Sequence, residues 1–318
     1  MRLLKLLALF AIAGAVHAQG YPTRPVKVVV PYAPGGLPDT IARLVGTKLG
    51  ESLGQQIVVE NVGGAGGING VTEVVKAAPD GYTLLVADVG QIAINPHLFS
   101  KLPYAPLKDL AAVSLIGTSP LYLVAHPSVP ANSLKELVAL AKAQPGKLNY
   151  GSSGIGSIHH LATEALKAGF GIDIVHVPYK GTGQSVPALL GGQVSLLYAA
   201  LPSIAGHLKD GKVKMLALSA AKRSPQTPDV PTVAESGIPG YDFVAEIGML
   251  APAATPRDVV TRLAGEVAKA VKQNDVVQRF AQLGIDPVGS TAQAYAEANK
   301  ADYEKYAKIV KATGAKID

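Results

Sequence analysis

The sequence predicts an α/β protein of two lobes, and three observations support this prediction. Short apolar segments alternate with amphipathic segments along most of the chain, a pattern typical of sheets covered by helices. Loops rich in glycine follow several of the predicted strands. Two apolar segments that end in proline, at 120–127 and 248–252, bracket a central region with its own strand–helix units, and we interpret them as two crossings between the lobes.

Residues 1–18 have the composition of an export signal. Arg2 and Lys5 precede an unbroken apolar run from Leu6 to Val16, and the small residue Ala18 follows shortly after. The run is too short to remain as a membrane span, and no later segment has an uninterrupted apolar run of spanning length. The chain has no cysteine, so we expect neither disulfides nor a lipid anchor at the cleavage site. We therefore expect cleavage near Ala18 and a soluble protein outside the cytoplasm.

The charge distribution argues against a nucleic-acid partner. The formal net charge is +6, and removing Arg2 and Lys5 with the signal leaves +4. Basic residues are spread along the chain and interleave with acidic ones, as in 300–311, while aromatic residues make up only 5%. Nucleic-acid surfaces instead cluster basic and aromatic residues. The mild positive charge is compatible with a small acidic ligand.

A strand, a double-glycine loop and a helix form the first predicted unit, at 26–39. Its four valines suit a strand that is buried on both faces. Gly35 and Gly36 allow another group to approach the main chain closely, and Pro38 fits the first turn of a helix, with Asp39 beside it. Because a helix start presents unpaired N–H groups, this stretch predicts an anion site.

Two further loops in the first half follow predicted strands. The strand at 56–60 runs into the glycine-rich stretch 63–70, but Asn69 occupies the position where the dinucleotide spacing G-x-G-x-x-G requires its third glycine. No Gly-Lys-Ser or Gly-Lys-Thr occurs either, so the sequence predicts no nucleotide cofactor. The strand at 82–87 leads to the loop 88–91.

The central region repeats this arrangement. The motif SLKE at 133–136 is a capping box that opens a helix. A strand edge at 148–150 leads into the loop 151–157, with the sequence GSSGIGS, and a helix begins near Ile158. Hydroxyls and main-chain donors at a helix start suit an anion, so we expect this loop to face the double-glycine loop across a cleft.

The remaining segments are a loop and a helical C-terminal part. The loop 178–183 contains Lys180, which we interpret as a solvated surface lysine. Helix starts are predicted near Thr255 and Ser290, and the final helix at 294–312 is expected to return to the first lobe.

A series of short motifs relates the chain to a known family. They are YPTRPVKVVVPYAPGG with Asp39, LGQQIVVEN with the GAGG run at 64–67, PDGYTLL, NPHL, NYGSSGIGSIHHLATE, VPYKG, KRSPQTPDVPTVAESG and LAPAATP. Together, and in this order, they are highly specific. Over nearly its whole mature length the chain resembles the extracytoplasmic solute-binding proteins of the tripartite tricarboxylate transporter family, often called Bug proteins.

The resemblance implies a fold and a role. The fold is a two-lobed, type II periplasmic-binding-protein-like (Venus flytrap) fold with a hinge and an interlobe cleft. Lobe 1 would comprise 19–120 plus 249–318, and lobe 2 would comprise 121–248. The implied role is to capture a small di-, tri- or aromatic carboxylate in the periplasm and to deliver it to a membrane permease. We expect a monomer that uses no cofactor and no metal and is not an enzyme.

Carried over position by position, the resemblance also implies ligand contacts from four loops, mostly through main-chain groups. The candidate ligand-binding residues are Tyr32, Gly35, Gly36, Asp39, Val89, Gly90, Ser152, Ser153, Ser157, Tyr179, Lys180 and Gly181. Acidic residues and a tryptophan that are common in the family are replaced here by Ser195, Ala199 and Glu246. The first two replacements remove a partner for an ammonium, so a carboxylate without an amino group is favoured unless Glu246 lines the cleft.

Two alternative functions remain open from the sequence. A serine hydrolase needs the elbow G-x-S-x-G, which the stretch around Ser153 misses by one residue. His159 and His160 are adjacent, which points them about 100° apart on a helix and makes joint metal binding awkward. We interpret them as one packed and one solvated histidine. The other alternative is the ligand-sensing subunit of a signalling system, which the sequence does not distinguish from a transport receptor.

Overall fold

The structure, a computed structural model, describes residues 20–313, so the predicted export signal lies outside the described residues. Its strands are β1 (Val26–Val30), β2 (Ile57–Asn61), β3 (Thr83–Ala87), β4 (Leu110–Pro120), β5 (Tyr122–Ala125), β6 (Asn149–Ser152), β7 (Val175–Pro178), β8 (Leu196–Ala199), β9 (Lys214–Leu218), β10 (Val244–Pro252) and β11 (Asp286–Pro287). Its α-helices are α1 (Leu37–Leu53), α2 (Ile68–Val75), α3 (Asn95–Leu98), α4 (Pro106–Asp109), α5 (Leu134–Ala143), α6 (Ile158–Phe170), α7 (Thr182–Leu190), α8 (Leu201–Lys209), α9 (Arg257–Ala270), α10 (Asn274–Gln282) and α11 (Ala292–Thr313).

A six-stranded sheet forms the first lobe, in the order β11-β4-β10-β3-β1-β2. Strand β1 lies between β2 and β3 and is parallel to both, whereas β10 lies antiparallel between β3 and β4. Because β1 has neighbours on both edges and packing on both faces, its four valines are at most 1% exposed. The predicted doubly buried strand is therefore confirmed.

A five-stranded sheet forms the second lobe, in the order β7-β6-β8-β5-β9. Strand β6 is parallel to β7 and β8, and β5 runs antiparallel to β8 and β9. The parallel part brings the carboxyl end of β6 to the loop that precedes α6. In both lobes, then, a parallel strand ends at a loop that starts a helix, which is where α/β sheets bind ligands.

The chain passes between the two sheets at two adjacent places. The first is Leu121, the single residue between β4 and β5. The second lies between β9 and β10, because β10 is already paired with β4 from Val244 onward. The predicted second crossing at 248–252 is thus part of the first sheet, and the sheet changes earlier in the sequence than expected.

Ser219 joins the two crossings. Its N–H donates to the carbonyl of Leu121 (2.8 Å), and its hydroxyl accepts from the Leu121 N–H (2.9 Å). On its other side, the Ser219 carbonyl accepts from the Phe243 N–H (2.9 Å), and its hydroxyl donates to the Phe243 carbonyl. All three residues are buried, so the serine holds both interlobe segments at one point.

We expect Ser219→Ala to lower the free energy of unfolding by about 1–3 kcal/mol. The substitution leaves a buried N–H and a buried carbonyl at the crossings without a hydroxyl partner, which costs about that amount. Urea unfolding measures the change, with Ser128→Ala at an exposed loop serine as the control. Equal stability of the two variants would show that the hydroxyl contributes nothing to the junction.

The C-terminal helix α11 packs against β4 in the first lobe and α6 in the second. It starts as a capped helix, because the Thr291 hydroxyl accepts from the Ala294 N–H (3.2 Å), one residue later than the predicted cap at Ser290. Neither this helix nor any other in residues 20–313 is both long and apolar enough to cross a membrane.

Candidate functional site

A narrow cavity lies between the two lobes, at the start of several helices. Its lining residues are Tyr32, Gly36, Leu37, Pro38, Asp88, Leu121, Ser153, His159, Thr182, Ala200 and Ala245. The volume of the cavity is only about 10 Å³, room for at most one water molecule. The lobes are therefore closed on each other around this cavity.

Three of the helices that start at the cavity have no side-chain cap. They are α1, α7 and α8, whose N-cap residues are Gly36, Gly181 and Ala200. The first turn of an α-helix has N–H groups without intrahelical partners, and its dipole is positive at this end. With α1 in the first lobe and α7 and α8 in the second, helix starts reach the cavity from both sides, although Pro38 and Pro202 in the first turns of α1 and α8 have no N–H. The arrangement suits an anion.

Hydrogen bonds to main-chain carbonyls join the lobes at the rim of the cavity. The Ala33 N–H donates to the carbonyl of Lys180 (3.0 Å), and the Ser203 hydroxyl donates to the carbonyl of Gly35 (3.3 Å). At Gly183, an added Cβ atom would lie 1.9 Å from the carbonyl oxygen of Pro34 in the other lobe. The closed arrangement thus depends on the absence of a side chain at this position.

Three of the twelve candidate residues line the cavity, namely Tyr32, Gly36 and Ser153. Ser153 is 4% exposed, and within residues 20–313 its hydroxyl has no hydrogen-bond partner. Of these three, it is the one that presents an uncommitted hydroxyl to the cavity. The Tyr32 hydroxyl, in contrast, is used inside the first lobe.

Several other candidates are engaged within the protein. The Gly35 N–H donates to Asp39 (2.9 Å), which also accepts from Arg43 (3.0 Å), so this N–H is not free for a ligand. The Ser152 hydroxyl is bonded to His176 (2.7 Å). The Ser157 hydroxyl caps α6, donating to the carbonyl of Gly154 and accepting from the His160 N–H.

The remaining candidates lie away from the cavity lining. Val89 packs in the main apolar core, and the Gly90 N–H donates to Asp88 (2.7 Å). Tyr179 and Lys180 line an open groove at the rim. Lys180 is exposed there, as the sequence analysis expected of a solvated lysine. Gly181, the N-cap of α7, is buried at the contact with Ala33.

Asp88 is a lining residue whose side chain the sequence analysis did not single out. It follows β3 directly and is 2% exposed, and its carboxylate accepts from the Tyr32 hydroxyl (3.0 and 3.1 Å) and the Gly90 N–H. Burial raises the pKa of Asp88 to about 6, although these hydrogen bonds oppose the rise. The sequence signal was its spacing: Leu84, Val86 and Asp88 alternate on one face of the strand.

His159 and His160 are both buried, at 8% exposure each, so the expectation of one solvated histidine was wrong. Both lie in the first turn of α6, which the first lobe covers. His160 stacks on His176 (centroids 4.4 Å apart), while His159 lines the cavity with its Nδ1 buried and unpaired. Burial lowers the pKa of His159 to about 4, so the ring is neutral at pH 7.

Glu246 does not line the cavity. It lies on β10 beside Asp302 of α11, and burial together with that carboxyl raises its pKa to about 7. Its neighbour Ala245 faces the cavity instead. The condition that the sequence analysis left open, Glu246 in the cleft, is therefore not met, and the acidic side chain that lines the cavity is Asp88.

Within residues 20–313, no three His, Asp or Glu side chains lie close enough together to hold a metal ion.

Two α/β lobes that enclose a cavity at helix starts are the architecture of periplasmic binding proteins. A family model, the tripartite tricarboxylate transporter family receptor, matches residues 41–315. The chain belongs to this family.

Individual relatives agree with this family membership. The chain is similar to Protein BugT of Bordetella pertussis, with 37% identity over 321 residues that cover 99% of this chain and 98% of BugT. Its fold is similar to that of an R. palustris protein solved with adipate (TM-score 0.89, 34% identity, covering 92% of this chain and 98% of that one). It is also similar to MatC from Rhodopseudomonas palustris with bound malate (TM-score 0.87, 36% identity, covering 91% and 100%).

Proposed function

We propose that this protein is a periplasmic solute receptor that captures a small organic acid between its lobes. The observation that carries the proposal is the convergence of uncapped helix starts from both lobes on one closed cavity. Such N–H groups bind a carboxylate without needing a charged side chain. Accordingly, no lysine or arginine is found among the residues that line the cavity.

Hydrogen bonds from main-chain N–H groups are sufficient for micromolar affinity. Hydrogen bonds to a charged group contribute about 1.5–3 kcal/mol each. A helix terminus contributes about 0.3–1 kcal/mol more. Micromolar binding requires about 8 kcal/mol after the costs of association. A handful of main-chain donors, helped by the Ser153 hydroxyl, reaches this range.

The comparisons support an organic acid as the ligand, because similar proteins were solved with adipate and malate. Within that class, we expect a di-, tri- or aromatic carboxylate. The family description supports delivery to a membrane permease of the tripartite type. Co-purification of the loaded protein with such a permease tests the delivery step, and failure of the loaded form to associate would argue against transport.

The proposal includes a hinge motion that opens the cavity. Leu121 and the segment between β9 and β10 provide two adjacent crossings, while each lobe keeps its own sheet. Opening exposes the helix starts to water and to the ligand, and closing dries the site, which strengthens its hydrogen bonds.

We expect a panel of small carboxylates to raise the thermal stability of the mature protein. A ligand at about 100 times its dissociation constant adds about 2.7 kcal/mol to the free energy of unfolding. The control is Gly36→Val, which places a side chain at the α1 start where an added Cβ atom already lies 2.8 Å from the Thr182 hydroxyl. Stabilisation of both proteins alike, or stabilisation by sugars and amines but by no acid, would contradict the proposal.

The hydrolase alternative has little structural support. Ser152 and His176 do form a hydrogen-bonded pair, but His176 is stacked between Tyr150 and His160, and no carboxylate among the described residues bonds to its ring. Ser152 is 1% exposed and does not line the cavity. A serine nucleophile needs access to substrate and an oriented base. If the wild-type protein shows any ester hydrolysis, we expect Ser152→Ala and Ser153→Ala to retain it.

A further inference from the structure

Asp88 and His159 are polar side chains of the cavity lining that do not belong to the helix starts proposed to bind the carboxylate. Asp88 enters from the first lobe at the end of β3, and His159 enters from the second lobe in the first turn of α6. Both are more than nine-tenths buried. Because they belong to different lobes and line the same cavity, a ligand around which the lobes close would lie between them.

The Asp88 carboxylate has acceptor capacity that the protein does not use. An ionised carboxylate offers about four lone-pair sites. Here the Gly90 N–H and the Tyr32 hydroxyl supply the protein's two donors. The Tyr32 hydroxyl has a single hydrogen, and it accepts from the Gln91 side chain (2.8 Å), so it has no further donor for a ligand. What the cavity presents at this point is an acceptor.

His159 lacks a hydrogen-bond partner within the described part of the protein. Its Nδ1 is buried with no hydrogen-bond partner among residues 20–313. An unpaired buried polar group lowers stability, and a ligand that supplies the partner recovers that loss. A neutral imidazole adapts to the partner, because either ring nitrogen can carry the proton. His159 can therefore pair with a group that donates or with one that accepts.

We propose that Asp88 and His159 form a subsite for a hydroxyl or ammonium substituent on the bound acid. This inference rests on the proposed function, because the helix starts hold the carboxylate of the same ligand. A hydroxyl donates to Asp88 and accepts from His159, and an ammonium donates to both. An unsubstituted alkyl carbon leaves both side chains unpaired, and a carboxylate in this position is repelled by Asp88.

Three acids that differ in one substituent test the proposal. Succinate carries hydrogen at C2, malate carries a hydroxyl and aspartate carries an ammonium. We expect calorimetry on the wild-type protein to show at least about 10-fold tighter binding of malate or aspartate than of succinate, since a site built to bond a substituent rejects the analogue that lacks it.

Two variants of His159 assign that discrimination to the subsite. In His159→Leu we expect the preference over succinate to fall below about 3-fold, with succinate affinity changed little. His159→Asn retains a donor and an acceptor near the position of Nδ1, so we expect it to keep most of the preference. Loss of the preference in both variants alike would indicate a packing role and would overturn the assignment.

Asp88→Asn distinguishes the two substituents. The amide retains an acceptor but has no charge, so an ammonium loses at least about 10-fold in affinity while a hydroxyl loses less than about 5-fold. If succinate binds as tightly as malate and aspartate, the subsite is overturned and carboxylate capture stands. If none of the acids on the wider panel binds, carboxylate capture fails and the subsite fails with it.

Discussion

Gly183→Ala is expected to lower ligand affinity at least about 100-fold, or about 2.7 kcal/mol, while leaving the free protein at least as stable as the wild type. Gly183 is the second residue of α7 and has no left-handed backbone angle, so alanine fits the helix and is favoured there by about 1 kcal/mol. Its Cβ atom, however, would lie 1.9 Å from the Pro34 carbonyl oxygen when the lobes close. The contact is with main chain, which cannot rotate away.

The matched control is Gly206→Ala in α8, where an added Cβ atom has nothing within 4 Å. Calorimetry with the acid that gives the largest thermal shift measures affinity, and small-angle scattering with that acid measures closure. On addition of the acid, we expect the radius of gyration of the wild type and of the control to fall. We expect that of Gly183→Ala to stay at the value of the open form. Normal affinity and compaction in Gly183→Ala would mean that the ligand is not held in the closed cavity.

Asp88→Asn is expected to raise the free energy of unfolding of the ligand-free protein by up to about 3 kcal/mol at pH 8, and by close to nothing at pH 4. The folded-state pKa of Asp88 is about 6, against about 3.9 in an unfolded chain. Between these values the folded state binds more protons, so stability falls as the pH rises through this window. A neutral asparagine does not have this loss.

Urea unfolding at the two pH values measures the difference between the variant and the wild type. Glu246 and Asp302 also have raised pKa values, but they are present in both proteins and cancel in the comparison. A stability difference that is the same at pH 4 and pH 8 would show that the buried charge of Asp88 is not its origin.

The elements that the sequence predicted well are those with strong local signals. The valine strand, the double-glycine loop and Pro38 at the start of α1 all lie as expected. The predicted helix start at Ser133 is confirmed as well, because the Ser133 hydroxyl accepts from the Glu136 N–H (3.2 Å), although the Glu136 carboxylate accepts from the N–H of Asn132 (2.7 Å) and not from that of Ser133. In each case the signal and the structure that it specifies lie within a few residues.

The site side chains were harder to predict because they depend on the contact between lobes. Nothing local to His159 indicates that the opposite lobe covers the first turn of α6, and so one of the two histidines was expected to be solvated. The second crossing was misplaced for a similar reason: β10 extends to Val244 only because β4 provides a partner along its full length. Non-local pairing of this kind leaves no pattern in a short window of sequence.

The uncapped helix starts have a consequence for how such a receptor changes its ligand during evolution. The N–H groups of α1, α7 and α8 belong to the peptide backbone, so a point mutation that keeps the helices deletes one of them only by introducing proline, as at Pro38 and Pro202. The side chains of Asp88 and His159, in contrast, can each be replaced by a single amino-acid substitution. General capture of acids and the choice among acids are therefore encoded separately, and new preferences can arise by substitution without passing through a form that has lost its hold on the carboxylate.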